Sequence, residues 1–167
     1  KPDLVLSGIN HGSNCSSNVL YSGTMSAAVE ASMEGVPAIG ISLLDFDPEA
    51  DFEASVKFGK KVVEQVIKTG LPKGVCLNVN VPKSPVSEIK GIKVCRQANA
   101  HWDDRFDQRL DPFGQPYYWL TGSFKNEDTG EDADIVQLEK GFVTVVPVQY
   151  DMTAYSALEA LKTIENG

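Results

Sequence analysis

Two clusters of small polar residues near the start of the chain could do chemistry. The first, Ser7-Gly8-Ile9-Asn10-His11-Gly12-Ser13-Asn14, follows an apolar run of Leu4, Val5 and Leu6; the second, Ser22-Gly23-Thr24, opens an amphipathic stretch that runs to Glu34. The amide oxygen of Asn10 can ligate a hard divalent cation or accept a hydrogen bond from a substrate. One neutral oxygen does not hold such a cation without carboxylates beside it. Ser22 and Thr24 offer hydroxyls, and Gly23 lets a phosphate approach the backbone. The helix N-terminus behind them adds free N–H groups and a dipole that favours negative charge. The same residues also serve as ordinary caps and turn formers, and spacing alone does not separate the two readings.

The elements that must position these residues alternate. Residues 3–7 read as a short, buried parallel strand, which puts the loop carrying Asn10 at the carboxyl edge of a sheet, where ligands of open α/β folds bind. A helix over 24–34 places Met25, Ala28, Val29, Ser32 and Met33 on one face, with Gly35 as its C-terminal cap and Pro37 blocking its continuation. A second apolar strand over 38–44 leads into an acidic loop, Asp45 to Asp51. A helix from about Asp51 to Thr69 puts Phe52, Val56, Val63, Val66 and Ile67 on one side, and a third strand covers 75–81. This βαβαβ order predicts a three-layer, Rossmann-like α/β fold with a parallel sheet. From Pro82 the grammar changes. A β-like piece at 91–97, a polar and aromatic stretch at 98–116 and another β-like piece at 117–124 read as an excursion in the form of a long hairpin. A helical turn over Asp132 to Gly141, a last strand at 142–148, and a terminal helix from Thr153 carrying Ala157, Leu158, Leu161 and Ile164 complete the chain. The expected organisation is a core over 1–82, the hairpin over 83–130, and the last strand with the terminal helix over 131–167.

Composition narrows the function. At 167 residues and 42% hydrophobic, the chain has material for one core. A formal charge of −8 excludes a protein that neutralises the phosphates of a nucleic-acid duplex; any nucleotide it handles is small. Three widely spaced cysteines without a CxxC pair read as reduced thiols. With no apolar run near the roughly 18–20 residues of a membrane span and no basic leader, the pattern is that of a soluble, cytoplasmic protein with no membrane partner. The chain opens at Lys1, almost directly on a strand, so an upstream segment is expected.

The ordered segments PDLVLSGINHGSN, NVLYSGTMSAAVEA, VPAIGIS, CLNVNVP, YYWLTG, and GFVTVVPV followed by DMTAY resemble the SurE family of survival-protein nucleotidases. The resemblance implies a phosphomonoesterase (a 5′/3′-nucleotidase) that uses a divalent metal ion, Mg or Mn, on nucleoside 5′- and 3′-monophosphates. It also implies a homodimer or homotetramer built through the hairpin and an exchanged terminal segment. Carried over residue by residue, Asn10 matches the family's asparagine metal ligand and Ser22 a serine beside the bound phosphate. Gly23 and Thr24 match the rest of that phosphate-contacting turn. Asn10 and Ser22 are therefore the candidate catalytic residues. His11 falls where the family pattern fixes nothing and reads as a solvated loop histidine. The family's main metal ligands, two adjacent aspartates in an NDDG motif and a serine further along, have no match in this sequence. Asp103-Asp104 lies in the polar excursion without the apolar strand that precedes that pair. A family-like upstream region would hold on the order of 80 residues; without it the chain is expected to bind metal poorly and catalyse weakly.

Other residues offer alternatives. Asp45 and Asp47, at the same sheet edge as Asn10, could supply carboxylates, although acids after a strand more often solvate a loop or cap the next helix. Asp103, Asp104, Asp107 and Asp111 lack the glycine and terminal glutamate of a calcium loop. Asn14-Cys15-Ser16 is a glycosylation sequon that means little without a secretory leader. Trp102, Phe106, Phe113, Tyr117, Tyr118 and Trp119 could form a nucleobase platform or pack against another subunit. The competing function is a non-catalytic nucleotide-binding or oligomerisation module with a flavodoxin-like core.

Overall fold

The computed structural model describes residues 2–166. Strict alternation sorts the second and third strands between two faces. In β3 (Val75–Val81), Leu77, Val79 and Val81 join Ile39, Ile41 and Leu43 of β2 (Ala38–Leu43) under α2 (Glu53–Thr69), while Cys76 joins Ala38 under α1 (Gly23–Met33). Three layers result. Close packing on both sides depends on small residues. A Cβ on Gly40 would lie 2.4 Å from the Met25 sulfur of α1, and α2 seats itself through Ala54, Ser55 and Gly59 as well as Phe58, Val62 and Val66. For that reason the buried side of α2 is rotated from the expected one, and Val56 and Ile67 face solvent. On α1, Met25, Ala28 and Ser32 are buried as expected, whereas Met33 is exposed.

β1 spans Val5–His11 and does not stop at Ser7. It pairs in parallel with β2, and β2 in parallel with β3. The sheet order is β1-β2-β3-β7-β4, with β4 at Ile92–Val94 and β7 at Val143–Gln149. The sheet is mainly parallel, with one departure from expectation: β7 runs antiparallel to β3, and β4 runs parallel to β7. The short, proline-containing link over 82–91 explains the reversal, because a return to the opposite edge needs a crossover of about a dozen residues or more. The core sheet thus draws strands from beyond residue 82.

The polar and aromatic stretch is itself a strand. β5 (Ala100–Leu110) and β6 (Pro116–Asn126) pair antiparallel from Ala100 opposite Asn126 to Leu110 opposite Pro116. At the turn the Asp111 carboxylate accepts from the amides of Phe113 and Gln115, both at 2.8 Å. Register divides the ribbon into an apolar face of Trp102, Phe106, Leu110, Tyr118, Leu120 and Phe124, and a charged face. On the charged face Asp103 pairs with Lys125 and Arg105, and Asp107 with Arg109.

Two carboxylates fasten the hairpin root. Asp134, at the start of α3 (Asp134–Glu139) and fully buried, accepts from the amides of Ser16 at 2.9 Å, Ala98 at 3.0 Å and Ile135 at 2.7 Å. Ser16, at φ +57°, exchanges hydrogen bonds with the backbone of Ala98 and Ala100 through its hydroxyl. Asp128 takes a bidentate guanidinium from Arg96 at 2.6 and 2.9 Å; this pair and the amides of Asn99 and Gly130 hold its carboxyl well below the usual range. The three thiols are free and buried. Burial, with Asp134 nearby, pushes Cys15 well up, and burial raises Cys76 to about 11.

The expected terminal helix is broken into short turns around α4 (Leu158–Leu161). Its apolar side, Leu158, Leu161 and Ile164, is exposed; with nothing to bury, so short a helix gains little stability. Among the described residues no helix is long and apolar enough to cross a membrane.

Candidate active site

Asn10 is aimed by a bulge. Gly8 pairs with Ile41 but Asn10 with Ser42, so β1 carries one extra residue, Ile9, against β2. Without it Asn10 would share the face of Leu43 under α2; with it Asn10 shares the α1 face with Ser42. Gly8 is required there, because at φ +109° a Cβ would lie 2.2 Å from the Ile41 carbonyl oxygen. Asn10 is therefore a strand residue at the carboxyl end of β1, not a loop residue.

Four amides and a hydroxyl then converge from three strands and the following loop. Asn78 and Asn80, two apart on β3, grip the backbone of Asn14: the Asn14 N–H donates to Asn80 Oδ1 at 2.6 Å, and Asn78 Nδ2 donates to the Asn14 carbonyl at 2.8 Å. Asn80 Nδ2 donates to Asn78 Oδ1 at 2.9 Å. The Asn14 amide donates to Ser42 Oγ at 2.6 Å and to Asn10 Oδ1 at 3.2 Å, and the Ser42 hydroxyl donates to Asn10 Oδ1 at 2.8 Å. Asn10 Nδ2 returns to the carbonyls of His11 and Gly12. Asn14, Ser42, Asn78 and Asn80 were missed in the sequence reading. The available signal was Asn78 and Asn80 at period two in an apolar strand, which places two amides on one buried face. Asn14, buried and bonded on both sides, is no glycan acceptor.

Above this floor lies a cleft of about 900 Å³. Its walls are His11 to Asn14, Ser17, Asn18, Tyr21 and Ser22 on the core side, with Phe46, and Trp102, Asp104 and residues 120–122 on the hairpin. Ser22 is the N-cap of α1. Its Oγ accepts from the Met25 amide at 3.0 Å, so its O–H is free to donate outward. The amides of Gly23 and Thr24 precede the first intrahelical acceptors. Neither residue lines the cleft: Gly23 faces open space, and the Thr24 methyl packs near Gly40. Asn10 does not line it either and reaches it through Asn14.

No Lys or Arg lines the cleft among the described residues, but both histidines of the chain, His11 and His101, do. His11 closes β1, so it is a strand residue and not a loop residue; it is exposed as expected, and its ring stands T-shaped to that of Phe52 at 5.1 Å. Asp45 is turned to other use. Its carboxylate accepts from Lys83 Nζ at 2.8 Å and the Asp47 amide at 3.1 Å, and the Lys83 bond lowers its pKa. A divalent cation does not fit these residues by themselves. Both lone-pair directions of Asn10 Oδ1 are engaged, and among the described residues no group of three or more His, Cys, Asp or Glu stands together.

A mainly parallel sheet between two helix layers, with a helix N-terminus and a polar cleft at its carboxyl edge, defines a Rossmann-like α/β protein. The sequence model of Survival protein SurE matches residues 1–104, and the chain belongs to that family. It is 62% identical over 163 residues to a protein named 5′-nucleotidase SurE from Christiangramia forsetii, covering 98% of this chain and 63% of the relative. The similarly named protein of Phocaeicola vulgatus is 45% identical over 163 residues, covering 97% of this chain and 63% of the relative. The crystal structure of the SurE protein from Aquifex aeolicus superposes with a TM-score of 0.83 at 38% identity, covering 99% of this chain and 66% of that one. The chain thus spans about 63% of the length of the curated relatives it matches.

Proposed function

We propose that the chain is the cleft-bearing part of a nucleotidase that hydrolyses nucleoside 5′- and 3′-monophosphates with the help of a divalent metal ion, Mg or Mn. The observation that carries the reading is that Ser22, with its hydroxyl proton free to donate, stands at the positive end of α1 inside a cleft otherwise lined by neutral groups, two imidazoles and one carboxylate. The names of the relatives from C. forsetii and P. vulgatus support the reaction. The phosphate would lie at Ser22, with Gly23 and Thr24 contributing amides and the helix dipole favouring its charge. Donors held in place by the fold stabilise charge on the phosphoryl oxygens as it redistributes during displacement. Neutral donors alone leave a phosphate dianion poorly balanced, which supports the need for a cation. Its carboxylate ligands would have to come from outside the described residues, with Asn10 adding one oxygen if its longer bond, from Asn14, is released. The hairpin's exposed aromatics and the exposed terminal segment support assembly as a homodimer or homotetramer.

The test is hydrolysis of AMP and 3′-AMP by the protein expressed from its complete gene, with Mg or Mn and with a chelator. Turnover that disappears with the chelator is expected. Ser22→Gly, which keeps a tolerated N-cap but removes the hydroxyl, should lower kcat/KM about 10-fold or more. A folded Ser22→Gly protein with the parent rate would remove Ser22 from the phosphate site. Nucleotide binding without turnover under all conditions would favour the non-catalytic binding module.

A further inference from the structure

The hairpin carries one carboxylate that its own structure does not use. Of the aspartates on β5 and its turn, Asp103 is paired with Lys125 and Arg105, Asp107 with Arg109, and Asp111 with turn amides. Among the described residues Asp104 has no hydrogen-bond or ion-pair partner, and it alone of the four lines the cleft. It also breaks the pattern of the ribbon, because register puts it on the apolar face between Trp102 and Phe106, opposite Gly122. With no side chain across from it, the Asp104–Gly122 rung is a gap between the Trp102–Phe124 and Phe106–Leu120 rungs. Trp102 is held at that gap by an edge-to-face contact with Phe124 at 6.0 Å and keeps half its surface exposed. A carboxylate does not attract a phosphate, but it accepts hydrogen bonds from donors on the uncharged part of a ligand. A cleft of about 900 Å³ is far larger than a phosphate group needs and lies within the range of pockets that enclose whole small molecules.

We propose that the hairpin root is the nucleoside subsite of the cleft. Trp102 stacks the base, and Asp104 accepts from a pair of adjacent donors on the nucleoside. This rests on the nucleotidase reading above. Every 5′-ribonucleotide carries such a pair as its 2′,3′-diol, and guanine carries another as N1–H and N2–H. Stacking on an indole is tolerant of base identity, so the subsite admits purine and pyrimidine nucleotides, with Asp104 setting any preference.

The experiment compares KM and kcat of the protein from its complete gene for AMP, GMP and ribose 5-phosphate, which has the diol and phosphate but no base. Trp102→Ala should raise KM for AMP and GMP about 10-fold, with kcat little changed and ribose 5-phosphate unaffected; Trp102→Phe should restore most of the loss. An equal effect on all three substrates, or none on any, overturns the stacking role. Asp104→Asn should raise KM several-fold. A rise shared by all three substrates assigns the ribose diol, and a rise confined to GMP assigns the guanine edge. No change in any KM removes Asp104 from the subsite. Should the protein turn over no ester, calorimetric AMP binding decides separately: weaker binding by Trp102→Ala keeps the subsite while the hydrolytic reading falls, and unchanged binding overturns the subsite as well.

Discussion

The core sheet and the hairpin treat burial in opposite ways. At the carboxyl edge of the core, Ser42, Asn78 and Asn80 are shut off from water, and each is hydrogen-bonded into one network. On the hairpin, Phe106, Leu110 and Tyr118 stand exposed on a strand face with no layer over them. Buried amides are tolerated only with partners, and a lone two-stranded ribbon is marginal in water. The core therefore uses polar contacts to aim Asn14 and Asn10, whereas the hairpin depends on polar contacts at its root to stay in place. Each region departs from the usual division of inside and outside: the core beneath the cleft, the hairpin on its uncovered face.

The sharpest way to break this comparison is at the joint. Asp134→Ala would strip the acceptor from three amides, those of Ser16, Ala98 and Ile135, which belong to the cleft loop, the hairpin root and α3. A loss on the order of 3–4 kcal/mol is expected in equilibrium urea denaturation, since each orphaned donor costs about 1 kcal/mol or more. A loss below about 1 kcal/mol would show that the root is held by Arg96–Asp128 and the Ser16 hydroxyl without Asp134. Within the core, Asn80→Ala should cost roughly 2–3 kcal/mol, because it leaves the Asn14 N–H and Asn78 Oδ1 unsatisfied. It should also disturb the cleft floor, so nucleotide affinity measured by calorimetry should fall with it. Intact affinity in a destabilised variant would separate the amide network from the site.

The fold was legible wherever local pattern decides. β2, β3, α1 with its glycine cap and β6 follow from apolar runs, breaker residues and alternation, whereas β5 lies in the polar and aromatic stretch that reads as a link between strands. The rest was settled by contacts between elements. The end of β1 was misplaced because Ser7, Gly8 and Asn10 read as loop residues, whereas Gly8 serves a bulge against Ile41 that exists only once β2 is beside it. The buried side of α2 was misjudged because Ala54, Ser55 and Gly59 matter through closeness to the sheet, which hydrophobicity does not register. At the candidate site the cap position of Ser22 was legible, because it is local. The amide network was not, since a single strand does not say that its asparagines will meet a loop 64 residues away. Asp104 was hidden for the opposite reason: among four aspartates, only the assembled fold shows that it lacks a partner and lines the cleft.

The smallest expected effect lies on the exposed ribbon. Phe106 is 73% exposed, so Phe106→Ser should change the unfolding free energy of a dilute single chain by no more than about 0.5 kcal/mol. Its cost should appear instead in association. If the bare face meets a second copy, the mass in solution measured by light scattering falls at concentrations where the parent assembles, while cleft chemistry per chain persists. A large loss of stability at dilutions where the parent is already monomeric would show that the apolar face is covered within one chain. The contrast between a core that hides its polar groups and a ribbon that displays its apolar ones would then be an effect of which residues happen to lie above the ribbon, and not a division of labour between site and interface.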